Sequence, residues 1–262
     1  MITRQAVIEW QEYAPWLNMH QVEQDLVISR ILIAIYSNAY LAARLAFRGG
    51  TALHRIYFSP PARYSEDIDL VQIVEEPIGN TLDCLREALS FLGKPAILQK
   101  KNNNTLVFRI ASTYPPETLL RLKIEINCNE HFTVHGYVKV PYEMTNAWYS
   151  GNCKLVTYSL NELIGTKIRA LYQRRKGRDL FDLYLAALTP DADPDDAALC
   201  FKQYVAFSET AVPTRKDYLI NLEKKINNRL FISDTDGILR SDIAYDPTHA
   251  FDIVKDAFID RI

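Results

Sequence analysis

Two aspartates that lie two residues apart are the best candidates for chemistry in this chain. Asp67 and Asp69 fall in a segment whose apolar alternation predicts a β-strand over residues 67–73. Side chains at i and i+2 of a strand point to the same face. We therefore expect both carboxylates to aim at one spot, while Ile68 and Leu70 face the core. Paired carboxylates suit Mg²⁺, which prefers one or two of them together with substrate phosphates and water.

A glycine pair upstream supplies a second chemical feature. Gly49 and Gly50, followed by Thr51, are expected to open a short helix that runs to about Tyr57. Backbone N–H groups at a helix N-terminus, with no side chain in the way, form a phosphate cradle. Together with the two aspartates, this cradle predicts phosphoryl or nucleotidyl transfer. Each feature alone is more often structural, because such aspartates occur on solvated strands and glycine pairs occur in ordinary turns.

A third carboxylate is available on another predicted strand, residues 119–127. Leu122, Ile124 and Ile126 share its apolar face, and Glu125 lies on the polar face. If this strand lies beside the strand of the two aspartates, Glu125 completes a set of three metal ligands. The alternative is a solvated glutamate on an amphipathic strand.

A basic segment follows in the C-terminal half. Ser159 is the expected N-cap of a helix, with Glu162 completing a capping box, and Gly177 is expected to end that helix before a second one begins at Arg178. The apolar stripe of the first helix comprises Leu160, Leu163, Ile164, Ile168 and Leu171. The basic residues of the segment are Lys167, Arg169, Arg174, Arg175, Lys176 and Arg178, with no acidic residue between the first and the last. This segment is suited to binding polyphosphate or an RNA backbone, although a charge run is usually a solvated face.

Taken together, these motifs resemble the AbiEii/AbiGii toxin family. The family comprises nucleotidyltransferase-like proteins of bacterial abortive-infection and toxin–antitoxin systems, and it is related to the MenT toxins. The resemblance runs from roughly residue 20 to residue 190, with a looser match beyond. It is carried by residues 47–53, 63–70, 123–125 and 167–182. This chain has Gly50-Thr51 where the family has Gly-Ser, a mild departure because threonine also offers a hydroxyl to a phosphate.

The resemblance implies an α+β fold. Its core is a polymerase-β-like nucleotidyltransferase domain, a mixed sheet flanked by helices, and a C-terminal helical domain follows. We expect the first domain over residues 1–155 and the second over residues 156–262, contributing Lys167 and Asp182 to the cleft.

The resemblance also implies a Mg²⁺-dependent enzyme that uses a nucleoside triphosphate, with Mn²⁺ as the alternative metal. Asp67 and Asp69 would hold the metal, and Glu125 is the least secure ligand. Lys167 would neutralise the β- and γ-phosphates, and either Asp182 or Asp179 would orient it or accept a proton. Asp179 is equally expected as a helix cap. The further nucleotide-binding residues are Gly49, Gly50, Thr51, Arg48, Arg63 and Ser65, where the two arginines have a surface role as their alternative.

The acceptor is the least constrained part of the reaction. The resemblance implies transfer to the 3′ end of tRNA, which blocks translation, and it implies a cognate antitoxin. The residues expected to follow the RNA backbone are Arg169, Arg174, Arg175, Lys176 and Arg178, and Tyr64 and Tyr172 are candidates for base stacking. The alternatives are an enzyme that modifies a protein hydroxyl or a small molecule, and a nucleotide-binding module with a decayed active site.

Composition is ordinary for a globular protein. The 262 residues are 48% hydrophobic and 24% charged, and the net charge is −2, so any nucleic-acid affinity must be local. The cysteines show no paired spacing and no clustering with the histidines in sequence, so a zinc site is not expected. No signal segment and no long apolar run is visible, which predicts a cytoplasmic protein without a membrane anchor.

Overall fold

The computed structural model of the protein describes residues 2–208 and 211–262. These residues form two compact units. Unit 1 comprises residues 1–132 and 137–158, and unit 2 comprises residues 133–136 and 159–262. Within the described residues, no helix combines the length and the apolar character needed to cross a membrane.

Unit 1 is built on a mixed seven-stranded sheet. The strands are β1 (Leu45–Arg48), β2 (Asp67–Gln72), β3 (Ala96–Lys100), β4 (Asn103–Ala111), β5 (Leu119–Asn127), β6 (Val138–Met144) and β7 (Gly151–Thr157). Their order across the sheet is β3-β4-β5-β2-β1-β7-β6. The pairs β2–β5 and β1–β7 are parallel, and the other neighbours are antiparallel. The predicted α+β class with a mixed, helix-flanked sheet is confirmed.

The helices of unit 1 are α1 (Arg4–Trp10), α2 (Met19–Ser37), α3 (Ala39–Ala42), α4 (Gly49–Ala52) and α5 (Gly79–Ala88). A π-helical turn, Leu53–Tyr57, continues α4, and a 3₁₀ turn, Ser90–Leu92, follows α5. The helix α2 is the most deeply buried of these, with Leu26, Ile28 and Leu32 fully enclosed. The helix α1 ends at Trp10, where the chain turns.

The central strands are positioned by simple alternation. On β2, Ile68 and Leu70 are buried, and on β5 the same is true of Leu122, Ile124 and Ile126. Burying these apolar side chains on one face leaves the polar positions of both strands together on the opposite face. The sequence prediction of both strands, including their apolar faces, is confirmed.

Unit 2 is helical. Its helices are α6 (Leu160–Gln173), α7 (Gly177–Ala187), α8 (Pro194–Phe207), α9 (Arg215–Ile226), α10 (Arg229–Ile232) and α11 (Pro247–Ala257), with 3₁₀ turns at Ser233–Thr235 and Ile259–Arg261. All five residues of the predicted apolar stripe of α6 are buried.

Two local predictions for unit 2 were wrong. Gly177 does not end α6, which stops at Gln173. It is instead the first residue of α7, where an added Cβ would lie 2.0 Å from the carbonyl oxygen of Phe231. Ser159 does cap α6 through the N–H of Glu162, but the Glu162 carboxylate binds residues 133–135 and the Tyr204 hydroxyl. The glutamate therefore anchors a distant segment of the chain.

Candidate active site

The three predicted metal ligands lie on neighbouring strands of unit 1. Asp69 on β2 pairs in register with Glu125 on β5, and Asp67 pairs with Lys123 one row away. Register partners in a sheet project to the same face, so the fold brings all three carboxylates to one surface. The adjacency of the two strands, on which the role of Glu125 depended, is confirmed. Its role in metal binding stays a prediction.

The glycine turn lies directly against this row. Gly49 has φ +80°, a conformation that residues with a side chain rarely adopt, and a Cβ there would stand 2.2 Å from Oδ2 of Asp69. Only glycine fits between the end of β1 and this carboxylate. The start of α4, with its N–H dipoles, is thereby placed beside Asp69.

The two carboxylate oxygens of Asp67 differ in their hydrogen bonding. Its Oδ2 accepts a hydrogen bond from the Lys123 ammonium at 2.9 Å. Its Oδ1 is buried and has no hydrogen-bond partner within the described residues. A buried carboxylate oxygen without a donor is costly, and such exceptions in folded proteins call for a ligand or a functional role.

This set of donors fits a divalent cation of the magnesium type. All candidate ligands are carboxylate oxygens, the donors that Mg²⁺ and Mn²⁺ prefer. The formal charges of the cluster are four carboxylates, including Glu130, against Lys123 and Arg48, which leaves an excess of negative charge. In the described structure these carboxylates do not bring three oxygens within 4.8 Å of one another, so a cation would have to draw them together.

Thr51 and Ser65 hold the loop before β2 in place. The Thr51 hydroxyl lies 2.7 Å from the Ser65 hydroxyl and also donates to the carbonyl oxygen of Asp67. The Gln24 amide of α2 donates to the carbonyls of Glu66 and Arg121, which fixes where β2 and β5 begin. The threonine hydroxyl is engaged by protein groups, and its role toward a phosphate stays a prediction.

The two predicted arginines are both enclosed. Arg48 forms an ion pair with Glu130. Burial lowers the pKa of Arg48, but Glu130, Tyr158 and Asp69 together raise it by more. The pKa therefore lies above its usual value, and the side chain remains a cation. Arg63 is 2% exposed and donates to the carbonyl of Tyr64, so the alternative of a surface arginine is wrong for this residue.

A cavity of about 310 Å³ lies elsewhere in unit 1. Thr51, Arg63 and Ser65 line it together with Trp10, Trp16 and Asp25, whereas Asp67 and Asp69 do not. The Asp25 carboxylate accepts from both tryptophan indoles and pairs with Arg55 at 2.9 Å. This cavity is therefore separate from the carboxylate row, although three predicted nucleotide-binding residues reach it.

In unit 2, Lys167 lies in a buried ionic cluster. Its ammonium contacts Asp179 at 2.8 Å and Asp182 at 2.7 Å, and both carboxylates are fully buried. Asp179 also accepts two hydrogen bonds from Arg174. Burial raises the pKa of Asp179, but Lys167 and Arg174 outweigh it, so that the pKa lies below its usual value. Both aspartates contact Lys167, and Asp179 serves no capping role on α7.

Acidic residues compensate much of the charge of the basic segment, and one of them, Asp234, is distant in sequence. Lys176 lies 3.5 Å and Arg178 3.3 Å from Asp234, and Arg174 is bound by Asp179. Arg169 donates to the Tyr204 carbonyl and packs over its ring. Arg174, Arg175 and Lys176 are exposed in the turn between α6 and α7, so the segment keeps an accessible basic face with much of its charge compensated.

The two aromatic candidates for base stacking each pack against another aromatic ring of their own unit. Tyr64 is buried against Trp16, with ring centroids 6.0 Å apart, and Tyr172 lies against Tyr218 at 5.2 Å. Burial raises the pKa of Tyr64 strongly. Each of these two rings already has an aromatic side chain of the protein beside it.

One cluster was missed from the sequence. In unit 2 the Nε2 of His135 lies 2.8 Å from Asp196 Oδ1 and 3.4 Å from Cys200 Sγ. Cys200 therefore lies beside a histidine in space, although the cysteines do not cluster with the histidines in sequence. Only the spacing of Asp196 and Cys200, four residues apart on one helix face, was a local signal; His135 is distant in sequence.

The glycine turn at the end of β1, the carboxylates of β2 and β5 and the mixed sheet are the arrangement that the sequence analysis expected of a nucleotidyltransferase. The family model for the AbiEii nucleotidyl transferase toxin of type IV toxin–antitoxin systems matches residues 30–257. The chain belongs to this family. A search of the curated proteins found no match.

Two of the solved structures that this chain resembles come from Helicobacter pylori and Mycobacterium tuberculosis. JHP933 from Helicobacter pylori is 18% identical with a TM-score of 0.55, and the alignment covers 92% of this chain and 91% of that one. MenT4, a nucleotidyltransferase toxin from Mycobacterium tuberculosis H37Rv, is 13% identical with a TM-score of 0.55, covering 100% and 99%. At these identities the likeness shows the fold.

The family assignment makes this chain a nucleotidyltransferase toxin of a type IV toxin–antitoxin system. Nucleotidyltransferases of this family generally use a nucleoside triphosphate and a divalent metal, and membership of a type IV system implies an antitoxin partner.

Proposed function

We propose that this protein transfers a nucleoside monophosphate from a nucleoside triphosphate to the 3′ end of tRNA, with Mg²⁺ as its metal, in the cytoplasm. The observation that carries the metal site is the carboxylate row of β2 and β5, in which Asp67 has an oxygen without a hydrogen-bond partner within the described residues and Asp69 lies against Gly49 at the start of α4. Blocking the 3′ end of tRNA would arrest translation, as expected of a toxin.

The residues divide the work as follows. Asp67 and Asp69 would hold the metal with Glu125, and a bound divalent ion would supply charge stabilisation for the reacting phosphate and the leaving pyrophosphate. The backbone N–H groups of Gly49 and Gly50 receive phosphate oxygens. Lys123 binds Oδ2 of Asp67, which leaves Oδ1 of that carboxylate available to a cation.

The remaining assignments rest on family resemblance. Lys167 is the predicted counter-charge for the triphosphate, and Asp179 and Asp182 orient its ammonium. Arg48, Arg63, Thr51 and Ser65 act by holding the loops around the nucleotide, because their polar groups are engaged by protein partners.

A second acceptor class is favoured by one observation. Asp179 and Asp234 compensate much of the charge of the basic segment, which weakens an RNA-binding face at this position. A protein hydroxyl as the acceptor requires the same metal site and no basic face.

The test is incubation of the purified protein with each α-labelled nucleoside triphosphate, Mg²⁺ and total tRNA. We expect label on tRNA with the wild type and none with Asp69→Ala. A triple variant, Arg174→Gln, Arg175→Gln and Lys176→Gln, should lose tRNA labelling, since those side chains are exposed. Label on protein instead, unaffected by the triple variant, would replace tRNA by a protein acceptor. Bound nucleotide without transfer to any acceptor would refute the enzymatic proposal.

A further inference from the structure

The cluster of His135, Asp196 and Cys200 combines one nitrogen, one oxygen and one sulfur ligand atom. All three atoms lie within 4.8 Å of one another. Asp196 and Cys200 are four residues apart near the start of α8 and therefore share one face of that helix. His135 comes from the short segment of residues 133–136 that belongs to unit 2.

The surrounding residues orient this cluster. Asn161 donates to Asp196 Oδ2 at 3.0 Å and accepts from the Asp193 N–H at 2.9 Å, which leaves Oδ1 of Asp196 toward the histidine. The Glu162 carboxylate accepts from the N–H groups of Val134 and His135, which holds the histidine segment in place. Hydrogen bonds that fix the ligands in this way are typical of metal centres.

The backbone under the cysteine is fixed as well. Gly165 of α6 lies so close to α8 that an added Cβ would stand 2.6 Å from the Cβ of Cys200. Cys200 is buried, while His135 and Asp196 keep about a third and a quarter of their side-chain surface exposed. The cysteine position is therefore rigid, and solvent reaches the other two ligands.

We propose that His135, Asp196 and Cys200 form a Zn²⁺ site that joins the 133–136 segment to α8, with water as the fourth ligand. Mixed nitrogen, oxygen and sulfur donors suit Zn²⁺ and exclude Mg²⁺ or Ca²⁺, which take oxygen alone. Around a tetrahedral zinc the nitrogen–oxygen and nitrogen–sulfur separations are about 3.3 Å and about 3.6 Å. The observed 2.8 Å and 3.4 Å need only a small opening.

Metal binding at this site has a simple proton balance. Cys200 binds as the thiolate and releases its proton to solvent, while His135 binds through the neutral imidazole and Asp196 as the carboxylate. No redox step is involved. The site is independent of the nucleotidyl transfer proposed above, because it shares no residue with the carboxylate row.

The experiment is titration of the metal-free full-length protein with Co²⁺, which reports a bound thiolate by an intense near-ultraviolet charge-transfer absorption. We expect this band in the wild type at one Co²⁺ per chain and its displacement by Zn²⁺. The band should disappear in Cys200→Ser and persist in Cys153→Ser, the matched control on β7. Asn161→Ala should weaken Co²⁺ binding by about 10–100-fold, the range for residues that orient ligands.

His135→Gln is the second variant and keeps the test decisive if Cys200→Ser fails to fold. Position 135 is exposed, so we expect it to tolerate this change. Far-ultraviolet circular dichroism confirms the fold of each variant. Loss of the band in His135→Gln supports the site. Absence of a thiolate band in the wild type, or a band unchanged in folded Cys200→Ser or His135→Gln, would overturn it and leave only a hydrogen-bonded His–Asp pair.

Discussion

The carboxylate row of unit 1 and the Lys167 cluster of unit 2 contain the same kinds of groups in opposite states. Asp67 is about a quarter exposed, and one of its oxygens is buried without a partner within the described residues. Asp179 and Asp182 are fully buried and bind Lys167 directly. The first cluster carries an excess of negative charge, whereas in the second Lys167 and Arg174 neutralise the two carboxylates.

This difference separates catalysis from stability. Groups that await a ligand cost stability in the free protein and gain it when the ligand binds. Groups that satisfy one another stabilise the fold, and removing one member leaves a buried charge uncompensated. We therefore expect changes in unit 1 to act mainly on metal binding and transfer, and changes in the Lys167 cluster to act strongly on folding.

The largest expected effect on stability is that of Lys167→Met. Two fully buried carboxylates lose their shared cation, so the free energy of unfolding should fall by about 3–5 kcal/mol, as for other broken buried pairs. Urea unfolding monitored by circular dichroism measures this. A loss below about 1 kcal/mol would show that the cluster is not structural and would place Lys167 with the catalytic groups alone.

Gly165→Ala should have the next largest effect. A methyl group there meets the Cβ of Cys200 at 2.6 Å and the backbone nitrogen of Phe201 at 2.8 Å. Overpacking of this kind costs about 1–3 kcal/mol. The matched control is Gly79→Ala on α5, where nothing lies within 4 Å and alanine should be neutral or slightly stabilising. Equal effects of the two substitutions would contradict the close approach of α6 and α8.

Acid should weaken unit 2 through Asp179. Its folded pKa lies below its usual value because Lys167 and Arg174 outweigh burial. The stabilisation is therefore present above the unfolded pKa of about 3.9 and is lost as the pH falls through the folded pKa. Unfolding free energies at a series of acidic pH values should decline less steeply for Asp179→Asn than for the wild type. The same pH dependence of the unfolding free energy in both proteins would show that Asp179 does not contribute to the acid sensitivity.

Lys123→Met should have the smallest effect on stability. The ion pair with Asp67 is partly exposed, with a nitrogen–oxygen distance of 2.9 Å, and such pairs contribute about 0–1 kcal/mol. Removing this cation should nevertheless tighten divalent-metal binding, because less positive charge lies beside the ligands. Metal titration of nucleotidyl transfer should reach half-maximal rate at a lower Mg²⁺ concentration. A higher requirement would mean that Lys123 acts mainly by positioning Asp67.

Local sequence patterns were sufficient for the central part of the fold. Alternation located β2 and β5 with their apolar faces, and Ser159 marked the start of α6, because each signal lies within a few residues. The strands β3 and β6, for which the sequence analysis gave no prediction, are the two edges of the sheet. Edge strands carry weaker patterns, and β6 contains Pro141, which only an edge or a bulge tolerates.

The parts of the site that the sequence did not reveal depend on distant partners. No local pattern near the basic segment predicts its pairing with Asp234, and none near Cys200 predicts its contact with His135. Gly177 was misread because a glycine after a helix usually ends it, whereas here it is required by the nearby carbonyl of Phe231. Contacts between residues tens of positions apart arise only when the chain packs, so local sequence patterns do not predict them.

The most direct test of the difference between the two clusters is Mn²⁺ binding measured by electron paramagnetic resonance. We expect the wild type to bind Mn²⁺ and Asp69→Asn to lose that binding while keeping its unfolding free energy within about 1 kcal/mol, as a partly exposed site allows. His135→Gln should bind Mn²⁺ as the wild type does. Retained binding in Asp69→Asn, or its loss in His135→Gln, would contradict the assignment of the catalytic metal to the carboxylate row.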